Sequence, residues 1–219
     1  IDGLATLLQS RCGWDVGPQN IAITNGSQSS FYVLFHLFAG EFNQGKKRKI
    51  LLPLAPEYIG YADVGMGADL FHTYRPTIEL RGDREFKYHV DFAHLDVSDE
   101  IGAIAVSRPT NPTGNVLTDA EVAQLRELAI RHEVPVILDS AYGGPFPNIV
   151  FPETENLWDN NTILCLSLSK LGLPGLRTGI IVAHEKVIRA VTAANAIVSL
   201  APGSIGPGLV CAMVEDGSI

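Results

Sequence analysis

With 219 residues, 46% of them hydrophobic, the chain is long enough to bury a sizeable core. Its 24 acidic and 16 basic side chains leave a net charge of −8, which argues against a nucleic-acid-binding surface. Cys12, Cys165 and Cys211 are too few and too irregularly spaced for a disulfide framework or a zinc site, and no apolar stretch approaches the length of a bilayer span. These properties predict a protein of a reducing compartment, hence cytoplasmic, with no metal, membrane or nucleic-acid partner.

Short Val- and Ile-rich runs alternate with helical patterns, which predicts an α/β fold with three α/β/α layers on a mostly parallel, seven-stranded sheet. The expected strands cover residues 21–24, 50–53, 70–73, 103–107, 134–139, 163–167 and 179–183. The first runs into Asn25-Gly26-Ser27-Gln28, which opens a helix over residues 28–39. Backbone amides and a serine hydroxyl at a helix start suit a phosphate, although the same residues also make an ordinary turn and cap. The basic run Lys46-Lys47-Arg48-Lys49 reads as a solvated loop, and His89, Asp91 and His94 as surface residues rather than metal ligands. After the strand ending at Ser107, two prolines and a glycine in Arg108-Pro109-Thr110-Asn111-Pro112-Thr113-Gly114 constrain a loop that positions Asn111.

Thr118 and Glu121 form a capping box for a helix whose apolar residues Val122, Leu125, Leu128 and Ala129 recur at helical spacing until about His132. Asp139 ends the next strand behind Val136-Ile137-Leu138, so it is expected to be partly buried and to need a partner; Tyr142 follows closely. Lys170 comes after an apolar stretch over residues 162–168 and before the glycine-rich turn that carries Arg177. Burial there would lower its pKa and free its amine as a nucleophile; the alternative is a lysine at a strand end that reaches solvent. A further helix covers residues 185–199, and the segment over residues 199–208 reads as a loop. The chain opens at Ile1 without a methionine and ends at Ile219 shortly after an apolar helical pattern, so it is expected to be part of a longer protein.

Taken in order, Gly26-Ser27-Gln28, Asn111-Pro112-Thr113-Gly114, Asp139-x-x-Tyr142 and Ser167-x-Ser169-Lys170 followed by Arg177 resemble the fold type I aminotransferases, enzymes of pyridoxal 5'-phosphate. Ala55-Pro56-Glu57-Tyr58-Ile59-Gly60-Tyr61, the stretch over residues 167–177 and Ser199-Leu200-Ala201-Pro202-Gly203 resemble the valine–pyruvate members of that family. Arg177 lies seven rather than the usual eight positions beyond Lys170, a shortened loop that itself resembles those members. The resemblance implies that residues 1–219 are the large cofactor-binding domain, with an N-terminal arm and a C-terminal small domain outside them, and that the enzyme is a homodimer.

The resemblance also assigns roles. Lys170 would form the Schiff base with the cofactor and then move the substrate proton. Asp139 would pair with the pyridine nitrogen, and Asn111 and Tyr142 would bond the ring hydroxyl. Tyr58 would stack on the ring. Gly26, Ser27, Gln28, Ser167, Ser169 and Arg177 would hold the phosphate, and Asn111 would also meet the substrate carboxylate. The implied reaction moves an amino group between valine and pyruvate, giving 2-oxoisovalerate and alanine. Two other uses of such a site stay open: a C–S lyase or decarboxylase, and the aminotransferase-like sensor domain of a transcription regulator.

Overall fold

The computed structural model describes residues 1–42, 45–67, 69–149 and 152–219. In chain order the helices are α1 (Asp2–Cys12), α2 (Ser27–Phe38), α3 (Asp119–Arg131), α4 (Glu185–Ser199) and α5 (Ile205–Glu215). The strands are β1 (Ile21–Thr24), β2 (Gly40–Phe42), β3 (Lys46–Leu52), β4 (Phe71–Thr73), β5 (Thr77–Arg81), β6 (Glu85–His89), β7 (Ile101–Ser107), β8 (Val136–Asp139), β9 (Thr162–Ser167) and β10 (Gly179–Val182).

Eight of these strands make one sheet in the order β1-β10-β9-β8-β7-β3-β2, with β4 also beside β3. Strands β9, β8, β7, β3 and β4 run parallel, while β10 is antiparallel to both its neighbours and β2 to β3. Strands buried on both faces should read as unbroken apolar runs, and β7, β8, β9 and β10 are buried at every position. Their side chains still divide between the two faces with a period of two. Ile104, Val106, Val136, Leu138, Leu164 and Leu166 meet Leu8 of α1, Leu125 of α3 and Val210 of α5. Ala103, Ala105, Ile137, Ile163 and Cys165 meet Phe31, Leu34 and Phe35 of α2 and Val191 of α4. The result is the expected three-layer α/β/α arrangement.

The capping box at the start of α3 is present: Thr118 Oγ1 accepts from the Glu121 N–H at 3.2 Å, and Glu121 Oε2 accepts from the Thr118 N–H at 2.8 Å. All seven expected strands lie in the sheet, and β2 adds an eighth. The basic run at residues 46–49 is the first half of β3, not a loop, because Lys46, Lys47 and Arg48 pair antiparallel with β2 and Lys49 with β7. Its charges are compatible with a strand whose first half is solvated. The β5–β6 hairpin is a separate two-stranded sheet, and its weak pattern of exposed residues gave no strand signal. Residues 205–208 are the first turn of α5 rather than loop; Pro207 is tolerated there because a first-turn N–H has no intrahelical acceptor.

At Gly102, within β7, the sheet leaves no room for a side chain: a Cβ would lie 1.7 Å from the Phe38 carbonyl oxygen, a backbone atom that cannot swing aside. Gly102→Ala is expected to destabilise the fold by at least about 3 kcal/mol, or to lower Tm by roughly 10 °C. Thermal denaturation followed by circular dichroism measures this, and an unchanged Tm would refute the packing argument.

Candidate active site

Strand register lines up the candidate residues at one edge of the sheet. Ser107 is opposite Asp139, Asp139 opposite Cys165, Ser167 opposite Gly179, and Gly179 opposite Thr24. The two antiparallel pairings through β10 return β1 to the direction of β9, so the turns after β1, β7, β8 and β9 all open on the same edge. Crevices beyond the carboxyl ends of parallel strands are where α/β sheets gather their ligands.

A cavity of about 170 Å³ lies there, lined by Ser27, Gln28, Tyr58, Asn111, Asp139, Tyr142, Ser167, Ser169, Lys170 and Arg177, with Ser107 in its wall. Of the sequence-predicted residues only Gly26 is not in the lining. It sits directly behind Arg177, where a Cβ would come within 2.3 Å of the guanidinium, and its φ of 93° is one that a side chain would resist. A wider recess of about 960 Å³ between the β5–β6 hairpin and residues 108–119 shares Asn111 and Tyr142 with this cavity. The recess is larger but lacks Lys170 and Asp139, both of which line the smaller cavity.

One end of the cavity is built for an anion. Gly26 caps α2, and the first amides of a helix, here those of Ser27 and Gln28, have no intrahelical acceptor. Gln28 Nε2 donates to the Gly60 carbonyl at 2.6 Å, tying α2 to the loop that carries Tyr58. Arg177 holds a left-handed backbone (φ 46°), uncommon for a residue with a Cβ, and its Nη1 donates to Ser169 Oγ at 3.2 Å and to the Pro174 carbonyl at 3.1 Å. Ser167 Oγ accepts the Ser169 N–H at 3.2 Å. A fixed guanidinium, helix amides and two hydroxyls form a donor set suited to a phosphate.

The other end centres on Asp139. Its carboxylate is buried, with Oδ2 accepting the Tyr61 hydroxyl at 2.7 Å and Oδ1 the Ala141 N–H at 2.9 Å. Tyr61 is itself locked among rings, edge-on to Phe31 at 4.9 Å, Phe35 at 5.2 Å and Tyr58 at 5.5 Å. Burial pushes Asp139 up to about 6 despite these hydrogen bonds and the nearby Lys170 ammonium. An acid that desolvation still holds this high has room for a further cationic partner on its open side. A protonated pyridine nitrogen would supply one, and with the anion cup at the far end the residues fit pyridoxal 5'-phosphate.

Lys170 departs from its expected burial. Strand β9 stops at Ser167, and the 3-10 turn Leu168–Leu171 carries the lysine beyond the strand end, where it is exposed. Its Nζ stands 4.7 Å from the centroid of the Tyr142 ring, a cation–π distance that aims it across the cavity. Two supporting residues escaped the sequence reading. Tyr61 enters the sequence reading only as the last residue of the Ala55–Tyr61 stretch, yet its three-residue offset from Tyr58 places both rings on one short turn. Arg108 is buried and pairs with Asp119, while its Nε donates to the Leu117 carbonyl at 2.8 Å, pinning the loop that presents Asn111. A buried arginine after an apolar strand implies an acidic partner, and Asp119 was there to be found.

The profile of the aminotransferase class I and II family matches residues 3–218. The chain is 58% identical over 216 residues, 99% of its length, to valine–pyruvate aminotransferase of Escherichia coli K12. It superposes on the crystal structure of valine–pyruvate aminotransferase from Salmonella typhimurium LT2 with a TM-score of 0.93 at 56% identity, covering 100% of this chain and 54% of that one. A provisionally assigned amino-acid aminotransferase of Psychrobacter arcticum 273-4 gives a TM-score of 0.95 at 51% identity, covering 100% of this chain and 52% of that one. The chain spans about half the length of the curated relatives it matches. It belongs to the class I and II aminotransferase family.

Proposed function

We propose that residues 1–219 form the large, pyridoxal 5'-phosphate-binding domain of an aminotransferase that moves an amino group between valine and pyruvate, giving 2-oxoisovalerate and alanine. The observation that carries this reading is the convergence of Lys170, Asp139, Asn111, Tyr142 and Arg177 on one cavity. The choice of substrates is supported by the name of the Escherichia coli relative at 58% identity.

Bound in this cavity, pyridoxal phosphate would supply an electron-withdrawing ring that stabilises negative charge at the substrate α-carbon. The chain's own groups divide the remaining work. Arg177, Ser167, Ser169 and the amides of Ser27 and Gln28 hold the phosphate and fix one end of the group. Asp139, anionic and steadied by Tyr61 and Ala141, would hold the proton of the ring nitrogen. Asn111 and Tyr142 would hold the ring hydroxyl, and Tyr58 would cover a ring face. Lys170 Nζ would be the amine that holds the group covalently and the base that takes and returns the α-proton.

A homodimer is supported by exposed apolar side chains at Ile197, Leu200, Ile205 and Leu209, which cluster at and after the end of α4. A cytoplasmic location is in keeping with the free thiols of Cys12, Cys165 and Cys211. Among the described residues no helix is long and apolar enough to cross a membrane.

An absorbance spectrum with pyridoxal phosphate, taken before and after valine and then pyruvate, tests the assignment. The reading expects a band that valine bleaches and pyruvate restores. A band indifferent to both would end the valine–pyruvate reading. Lys170→Ala should remove the band and lower transamination on the order of 10³-fold or more, since the variant loses both nucleophile and base. Arg177→Lys retains charge but not the fork, so cofactor affinity should weaken roughly 10-fold, measured by equilibrium dialysis. Unaltered affinity would remove Arg177 from the phosphate cup.

A further inference from the structure

Glu57 precedes Tyr58 in the loop after β3, and none of the roles above uses it. Its Oε1 accepts the Ser107 backbone N–H at 3.0 Å, while Oε2 is buried with no hydrogen-bond partner among the described residues. An unsatisfied buried carboxylate oxygen is costly as long as the group is charged, and protonation relieves that cost.

The groups facing this carboxyl come from its own loop and from each neighbouring strand end. Tyr61 Oη lies 3.3 Å from Ser107 Oγ and donates to Asp139 at 2.7 Å. Ser107 and Asp139 end adjacent strands in register. Lys170, from the turn after β9, is the cation that acts on Asp139. Glu57 and Asp139 are therefore two buried carboxyls joined through Ser107 and Tyr61. Burial pushes Glu57 up to about 7, and the charge on Asp139 adds to the rise; Asp139 lies lower, at about 6. The pair releases its protons in two coupled steps, and the first charge settles on the carboxyl that faces the cavity.

We propose that Glu57 is a positioning residue for Asp139: it braces Ser107, against which Tyr61 rests, beneath the ring site, and is a second ionisable carboxyl behind Asp139. This deepens the aminotransferase reading and rests on it. Below neutrality the network carries the single charge of Asp139. Above it, the second charge strengthens the hold of nearby cationic groups on their protons, so the electronic demand of the site varies with pH through a residue that never touches the ligand.

Glu57→Gln keeps the shape and removes the ionisation, while Glu57→Asp restores a carboxyl. In the cofactor-loaded full chain, the midpoint of the pH titration of the cofactor absorbance band is expected to move to lower pH in Glu57→Gln and back toward wild type in Glu57→Asp. A second readout needs no cofactor. A folded-state pKa raised from 4.5 to about 7 contributes stability at acidic pH that is lost as the pH rises through about 7. The wild-type Tm should therefore fall over that window, and Glu57→Gln should lose the upper part of the fall. Titration and melting curves in Glu57→Gln that follow wild type would overturn the proposal. If wild type forms no cofactor band, the aminotransferase reading fails instead, and the cofactor-free melting series still decides whether Glu57 ionises as proposed.

Discussion

Removing a carboxylate from water is among the most expensive things a fold can do, and this sheet does it at the end of β8. Asp139 is buried where its strand stops, so every contact that keeps it charged has to come from elements arranged around that strand end. The Ala141 amide comes from its own chain turn, the Tyr61 hydroxyl from the loop after β3, and the long-range pull of Lys170 from the turn after β9. The aromatic cage of Phe31, Phe35 and Tyr58 makes sense in these terms, since a tyrosine free to rotate would leave the carboxylate without its strongest donor.

Parallel strands solve the problem of bringing such distant segments together. Tyr61 and Asp139 are separated by 78 positions, and Gly203 and Asn25 by 178, yet each pair is joined by a hydrogen bond at the same sheet edge. Each parallel strand returns its carboxyl end to that edge, and β10 reverses the direction twice so that β1 and its helix also arrive there. The packed interior can then be ordinary Val, Ile, Leu and Ala, because the candidate site residues lie at or just past the strand ends.

The strands were legible in the sequence because burial on both faces leaves unbroken apolar runs such as Ile163-Leu164-Cys165-Leu166, and α3 because Thr118 and Glu121 cap it locally. What stayed hidden depended on partners distant in the chain. The run at residues 46–49 looks solvated by composition, and only pairing with β2 makes it a strand. The site motifs were visible as an ordered set, but Lys170 illustrates the limit of periodicity: an apolar run predicts a buried strand without revealing where that strand ends. Here it ends three residues before the lysine, and the intervening turn moves the amine from interior to surface. Nothing in the local pattern around Glu57 distinguished a buried carboxyl from a loop glutamate; its environment is made by Ser107, 50 residues away.

The charge arrangement accounts for how one cavity can hold a group that is anionic at one end and cationic at the other. Arg177 and the start of α2 place positive potential at one end of the cavity, with no acidic side chain among the described lining residues there. At the other end Asp139 supplies the opposite sign, and burial of the Glu57 carboxyl behind it favours the neutral form. Lys170 stands between these poles, over the Tyr142 ring, near enough to Asp139 to be felt by it and not bonded to it. A lysine locked in a salt bridge with Asp139 would be held cationic and unavailable. Tyr61 and the Ala141 amide satisfy Asp139 instead, and among the described residues the Lys170 amine is left without an ion-pair partner, held only over the Tyr142 ring.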